Sequence, residues 1–186
     1  TSYTANRGKR ELRERIADDV AERYDLDYDP DEEILVTTGA SEGVDLAFRA
    51  LLNPGDQVAV AQPCYVSYKP GVTFAGADVI DVPTRVEDDF KLTREVLEDS
   101  GAAEADALIF CYPNNPTGAT MTAAELRPVA EFAREHDLLV FADEIYSELS
   151  YEHDHTSIAT LPGMRERTVV FNGFSKAYAM TGLRLG

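Results

Sequence analysis

Lysine, cysteine and long apolar runs are all scarce in this chain, and each scarcity excludes something. Four lysines (Lys9, Lys69, Lys91, Lys176) and thirteen arginines face 34 acidic residues, for a net charge of −17. Such a surface repels phosphate backbones and anionic lipids, which argues against nucleic-acid and membrane partners. The acids are interspersed with apolar residues, so they describe a solvated surface and not a disordered tail. Salt screens their mutual repulsion over about 8 Å at physiological ionic strength and about 3 Å at 1 M. A salt-loving host is the expectation. The two cysteines, Cys64 and Cys111, stand far apart with no CxxC pair, as expected of reduced, buried, small side chains without a catalytic role.

No apolar stretch approaches the roughly 20 residues of a membrane span, and no cationic, apolar leader opens the chain. A soluble, cytoplasmic protein is expected. A Gly-x-Gly-x-x-Gly run and a Gly-Lys-Ser/Thr loop are both missing, which removes the usual dinucleotide and nucleoside-triphosphate fingerprints. Internal repeats and Gly/Ser linkers are missing too.

The 186 residues suit one domain, 1–186. Apolar, β-rich runs at 34–37, 57–61, 78–82, 107–112, 138–142 and 168–172 alternate with helix-patterned stretches near 11–16, 42–52, 66–74, 93–99 and 123–136. That alternation predicts an α/β fold of three layers, α/β/α, with a mainly parallel sheet covered by helices on both faces. Sites in such sheets gather beyond the carboxyl ends of the strands. Thr122 and Glu125 predict a capping box for the last helix, with Met121 and Leu126 as its hydrophobic staple. Pro128 predicts a kink within that helix.

Each remaining motif falls where a predicted strand ends. Thr38-Gly39-Ala40-Ser41-Glu42-Gly43 opens a helix with small residues, so backbone N–H groups can approach an anion; an ordinary N-cap at Ser41 is the plain alternative. Tyr65, in Gln62-Pro63-Cys64-Tyr65-Val66-Ser67-Tyr68, could stack on a planar ring or simply fill core. Pro113-Asn114-Asn115-Pro116-Thr117-Gly118 is a rigid turn that fixes the Asn115 amide. In Asp143-Glu144-Ile145-Tyr146, an aspartate at the end of a buried strand is costly unless it meets a cation or a donor. His153 and His155 flank Asp154 in a polar segment, and a solvated loop without metal is expected there.

The run Gly173-Phe174-Ser175-Lys176-Ala177-Tyr178-Ala179-Met180-Thr181-Gly182-Leu183-Arg184-Leu185-Gly186 says most. An amine among small residues can be partly desolvated, which lowers its pKa and suits it to a Schiff base with an aldehyde. Arg184 offers a permanent cation with a forked donor set for phosphate. An aldehyde-binding lysine and a phosphate-binding arginine together describe a pocket for pyridoxal 5′-phosphate.

In this order the motifs resemble the aspartate aminotransferase superfamily of pyridoxal-phosphate enzymes, fold type I, most closely its class I aminotransferases. The resemblance covers essentially the whole chain and identifies it with the large, cofactor-binding domain. It implies that Lys176 carries the cofactor as a Schiff base and later shuttles the substrate proton. Asp143 would hold the pyridine nitrogen protonated, so that the ring accepts electrons. Asn115 and Tyr146 would hydrogen-bond the phenolic oxygen, and Tyr65 would stack on the ring. The Gly39-Ala40-Ser41 backbone, Arg184 and Ser175 would hold the phosphate. Tyr3 matches the tyrosine that reaches the phosphate of a neighbouring subunit, which implies a homodimer with shared active sites. The implied reaction moves an amino group from aspartate or a similar 2-amino acid to a 2-oxo acid.

Two departures stand out. Many relatives place a serine three positions before the lysine, where this chain has Gly173. The family's carboxylate-binding arginine belongs to a C-terminal small domain, and the chain stops at Gly186. It is therefore expected to be a piece of a longer protein, with little activity alone. A β-lyase or decarboxylase on the same cofactor, or the aminotransferase-like sensor domain of a transcription regulator, remain alternatives.

Overall fold

A computed structural model describes residues 5–186. Among the described residues one five-stranded sheet forms, parallel throughout, in the order β2-β1-β3-β4-β5. Its strands are β1 (Gln57–Gln62), β2 (Asp78–Pro83), β3 (Ala107–Cys111), β4 (Leu139–Asp143) and β5 (Thr168–Phe171). The α-helices are α1 (Arg10–Tyr24), α2 (Ala40–Leu51), α3 (Tyr68–Phe74), α4 (Arg94–Asp99) and α5 (Ala123–Glu135).

Side chains alternate between the faces of a strand, and the two faces here have separate cores. Val60, Ile109 and Phe141 meet Val44 and Phe48 of α2 with Tyr68 and Val72 of α3. Ala59, Leu108 and Val140 meet Leu97 of α4 with Leu126 and Phe132 of α5. Burial on both faces explains why the strands read as near-continuous apolar runs. The three-layer expectation holds.

β1 lies between β2 and β3, so the chain leaves β1 toward one edge and then crosses back to the other. The carboxyl ends of β1 and β3 flank the resulting switch point, where open α/β sheets bind ligands.

At α5, Thr122 accepts from the Glu125 N–H and Glu125 accepts from the Thr122 N–H, the reciprocal cap expected. Met121 and Leu126 are both buried beside it. The helix runs through Pro128 without interruption. α1 is longer than its apolar pattern indicated. Surface pairs such as Arg10–Glu14 and Arg23–Asp19, each one turn apart, support it where apolar periodicity is weak.

One expected strand does not form. Residues 34–37 stay outside the sheet: the Val36 N–H donates to Arg7 O at 3.1 Å, and Thr37 exchanges both backbone bonds with Gly186 at 2.8 and 3.1 Å. A ladder needs successive partners, and here each neighbouring segment supplies only one. None of the described helices is long and apolar enough to cross a membrane.

Candidate active site

Asp143 closes β4 on the face toward α3. It is buried, as are its neighbours Glu144 and Tyr68. The Tyr68 hydroxyl donates to Asp143 Oδ2, and the Ile145 N–H donates to Oδ1 at 3.1 Å. Burial above all pushes the carboxyl pKa up, with Glu144 adding to it; Tyr68, the Ile145 N–H and the charge of Lys176 pull the other way. The costly strand-end aspartate thus meets donors and, among the described residues, no cation in hydrogen-bond contact. A cationic ring nitrogen would complete it.

The next turns supply the phenol and the amide. Asn114 ties its own turn together, donating to Pro63 O and Cys111 O and accepting from Thr117 through both N–H and hydroxyl. Asn115 is thereby left to face the site, where its amide donates to the Tyr146 hydroxyl at 3.3 Å. Lys176 Nζ lies 5.5 Å from the centre of the Tyr146 ring. The partial desolvation expected for this amine is not found: Lys176 is exposed. It sits in the turn after β5, where the Phe174 N–H donates to Leu185 O at 3.1 Å. Ser175, in the same turn, is half-buried.

A second cradle forms at the start of α2. Gly39, and not Ser41, takes the N-cap position, at φ 79°. Arg184 lies directly against it, because a side chain at Gly39 would overlap the Arg184 guanidinium. Arg184 Nη1 donates to Thr181 O at 3.0 Å, which steadies the fork. Gly186 lies equally close over Gly39 and Ala40. A permanent cation and a helix start therefore share one spot suited to an anion, with the Gly39 N–H itself already given to Thr37 O at 2.8 Å. Tyr65 packs edge-on to Tyr68, with ring centres 5.6 Å apart, and shares with Ser41 the lining of a cavity of about 290 Å³. Tyr3 lies outside the described residues.

The histidine loop differs from expectation. His155 Nε2 meets Glu144 Oε2 at 3.0 Å, with both side chains almost wholly buried, and Ser157 donates to Glu144 Oε1 at 2.9 Å. The Tyr24 ring packs edge-on against His155. Burial of Glu144 next to Asp143 demands a partner, and the loop folds inward to supply one. Asp154 stays exposed, and the half-buried His153 bonds to Thr120 Oγ1.

The sequence reading passed over Tyr68 and the Glu144–His155–Ser157 group. Tyr68 had a signal: it stands three positions after Tyr65, one helical turn on, and starts a helix that covers the face on which Asp143 lies. The inward histidine had none within its own polar segment.

An anion at the start of α2 beside Arg184 and a cation at Asp143 would suit the charges of these residues, and the phosphate and ring nitrogen of pyridoxal phosphate would fit them. The model for the aminotransferase class I and II family matches residues 1–186. The chain belongs to this family.

Among class I and II aminotransferases, it is 50% identical over 186 residues to YugH of Bacillus subtilis, named as an aminotransferase without a substrate. It is 42% identical over its whole length to the aspartate aminotransferase of Pyrococcus abyssi. The crystal structure of the aromatic aminotransferase from Pyrococcus horikoshii superposes on all of the chain with a TM-score of 0.96 at 43% identity, using 50% of that structure. The chain spans about half the length of the curated relatives it matches: 48% of YugH and of the Pyrococcus abyssi enzyme. The names of these relatives differ in amino donor, so family membership alone selects none.

Proposed function

We propose that the protein containing this chain is a pyridoxal-phosphate-dependent amino-acid aminotransferase, acting on aspartate or a similar 2-amino acid and a 2-oxo acid. Residues 1–186 are its cofactor-binding large-domain portion. The observation that carries this reading is the pairing of a buried, cation-seeking Asp143 with an anion cradle of Gly39 and Arg184, and with Lys176 at the same carboxyl edge of the sheet.

Bound there, pyridoxal phosphate supplies an aldehyde for amines and a ring that accepts electrons released at the substrate α-carbon. Lys176 would be the amine that holds the aldehyde, and its nitrogen would serve as the base that moves the substrate proton. Asp143 keeps the ring nitrogen protonated through its opposite charge. Asn115 and Tyr146 orient the ring from the phenolic-oxygen side, and Tyr65 supports its face. The Gly39-Ala40-Ser41 backbone, Arg184 and Ser175 hold the phosphate. Tyr3 serves the site of a second copy in a cytoplasmic homodimer. The acidic surface suits a salt-rich cytoplasm, with small-molecule substrates and no nucleic-acid or membrane partner.

The test is a panel of amino acids assayed with 2-oxoglutarate, at high salt, on the full-length protein. Amino transfer that requires the 2-oxo acid is expected. Product formed without an acceptor would replace this reading with a lyase or decarboxylase.

A further inference from the structure

We propose that Tyr68 is a positioning residue for the cofactor: its hydroxyl, fixed as a donor to Asp143 Oδ2, holds that carboxyl in the ionised form that keeps a ring nitrogen protonated. This rests on the reading that Asp143 meets the ring nitrogen.

Tyr68 opens α3, is 1% exposed, and reaches Asp143 across the face of β3. Asp143 pairs in register with Cys111 on that strand. The groups that face the carboxyl act in two directions. Glu144 from its own strand end disfavours its charge, whereas Tyr68 from α3 and Lys176 from the turn after β5 favour it. The Cys111 thiol is turned to Pro113 O and does not donate to the carboxylate. Burial is the largest influence and opposes ionisation. Of the two side chains that favour charge, only Tyr68 is in hydrogen-bond contact.

The phenol is a dependable donor. Burial and the adjacent Asp143 charge push its own pKa far up, so it keeps its proton wherever the enzyme works. A bound ring nitrogen and Asp143 share one proton, which sits on nitrogen or on oxygen. A hydrogen bond given to the carboxylate favours the arrangement with the proton on nitrogen. Tyr68 thus acts on the electron sink without touching it, and Asp143 Oδ1 is steadied separately by the Ile145 N–H.

The experiment loads full-length protein with pyridoxal phosphate labelled with ¹⁵N in the ring and reads the nitrogen chemical shift against pH. Tyr68→Phe should move the proton toward Asp143 by about tenfold in the ratio of the two arrangements, since a bond to a charged group is lost. 3-Fluorotyrosine at position 68, a stronger donor of nearly the same size, should shift the ratio the opposite way, and it serves where Tyr68→Phe fails to fold. In an Asp143→Asn background neither change should move the shift. A purely structural Tyr68 would lower cofactor affinity with the wild-type shift retained, and that result overturns the proposal. If unaltered protein binds the cofactor with an unprotonated ring nitrogen, or binds none, the reading of Asp143 itself falls and takes this inference with it.

Discussion

The amide of Asn115 and the hydroxyl of Tyr146 meet at 3.3 Å, although the two residues lie on turns after different strands. Their meeting depends on Asn114, whose bonds consume the rest of the first turn and leave Asn115 free to point inward. In the proposed reading both groups would present polar atoms to one ligand oxygen. Tyr146→Phe removes one donor and the partner of Asn115, a loss of about 0.5–1.5 kcal/mol for a neutral bond. Cofactor affinity should fall by about 2- to 10-fold, read by absorbance titration of the full-length apoprotein, with thermal stability little changed.

Asp143 gives a pH dependence of definite sign. Burial raises its folded pKa above the ordinary value of 3.8, so the folded carboxyl holds its proton more tightly than the unfolded one. Its contribution to stability is full below that ordinary value and is lost as pH rises through the folded pKa. Cofactor-free Asp143→Asn protein should therefore be more stable than wild type at pH 8, the gap closing toward pH 4 in denaturant titrations. Turnover should move the opposite way and fall by more than about 10³, since each tenfold loss is about 1.4 kcal/mol of barrier.

A change at Gly39 would test the proposed phosphate site apart from the proposed ring site. The φ of 79° at Gly39 and its contact with the Arg184 guanidinium leave no room for a side chain. Gly39→Ala should weaken pyridoxal phosphate binding by tenfold or more while leaving the affinity for pyridoxal, which lacks the phosphate, nearly unchanged. Equal losses for both ligands would place the phosphate elsewhere.

The Glu144–His155 pair predicts a stability effect far larger than a loop histidine would give. Removing His155 takes one hydrogen bond from a buried carboxyl group, a loss of about 1.5–3 kcal/mol. His155→Ala in the full-length protein should lower the unfolding free energy by that amount, and His153→Ala by much less. Similar small effects at both positions would return the segment to solvent.

The strands and their faces were legible because burial on both sides leaves runs such as Ala107–Cys111 with no polar interruption. The cap of α5 was legible because Thr122 and Glu125 act within four residues. Residues 34–37 read as a strand on composition, but strand formation depends on successive partners that a local pattern does not contain. Lys176 lies in the run that had been singled out, yet its exposure depends on what covers the turn. Tyr68 and His155 owe their roles to contacts over 75 and 11 positions, beyond any local period. The motifs thus fall along the carboxyl edge of the sheet, and long-range packing decided which buried partners stand behind them.

Lys176 is proposed as the amine that holds the cofactor. Full-length protein saturated with pyridoxal phosphate should be reduced with borohydride, digested and mapped by mass spectrometry. A single phosphopyridoxyl label is expected on the peptide containing Lys176, lost in Lys176→Ala while noncovalent cofactor binding remains measurable. A stoichiometric label on Lys9, Lys69, Lys91 or any other lysine, with Lys176 unmodified, would contradict it.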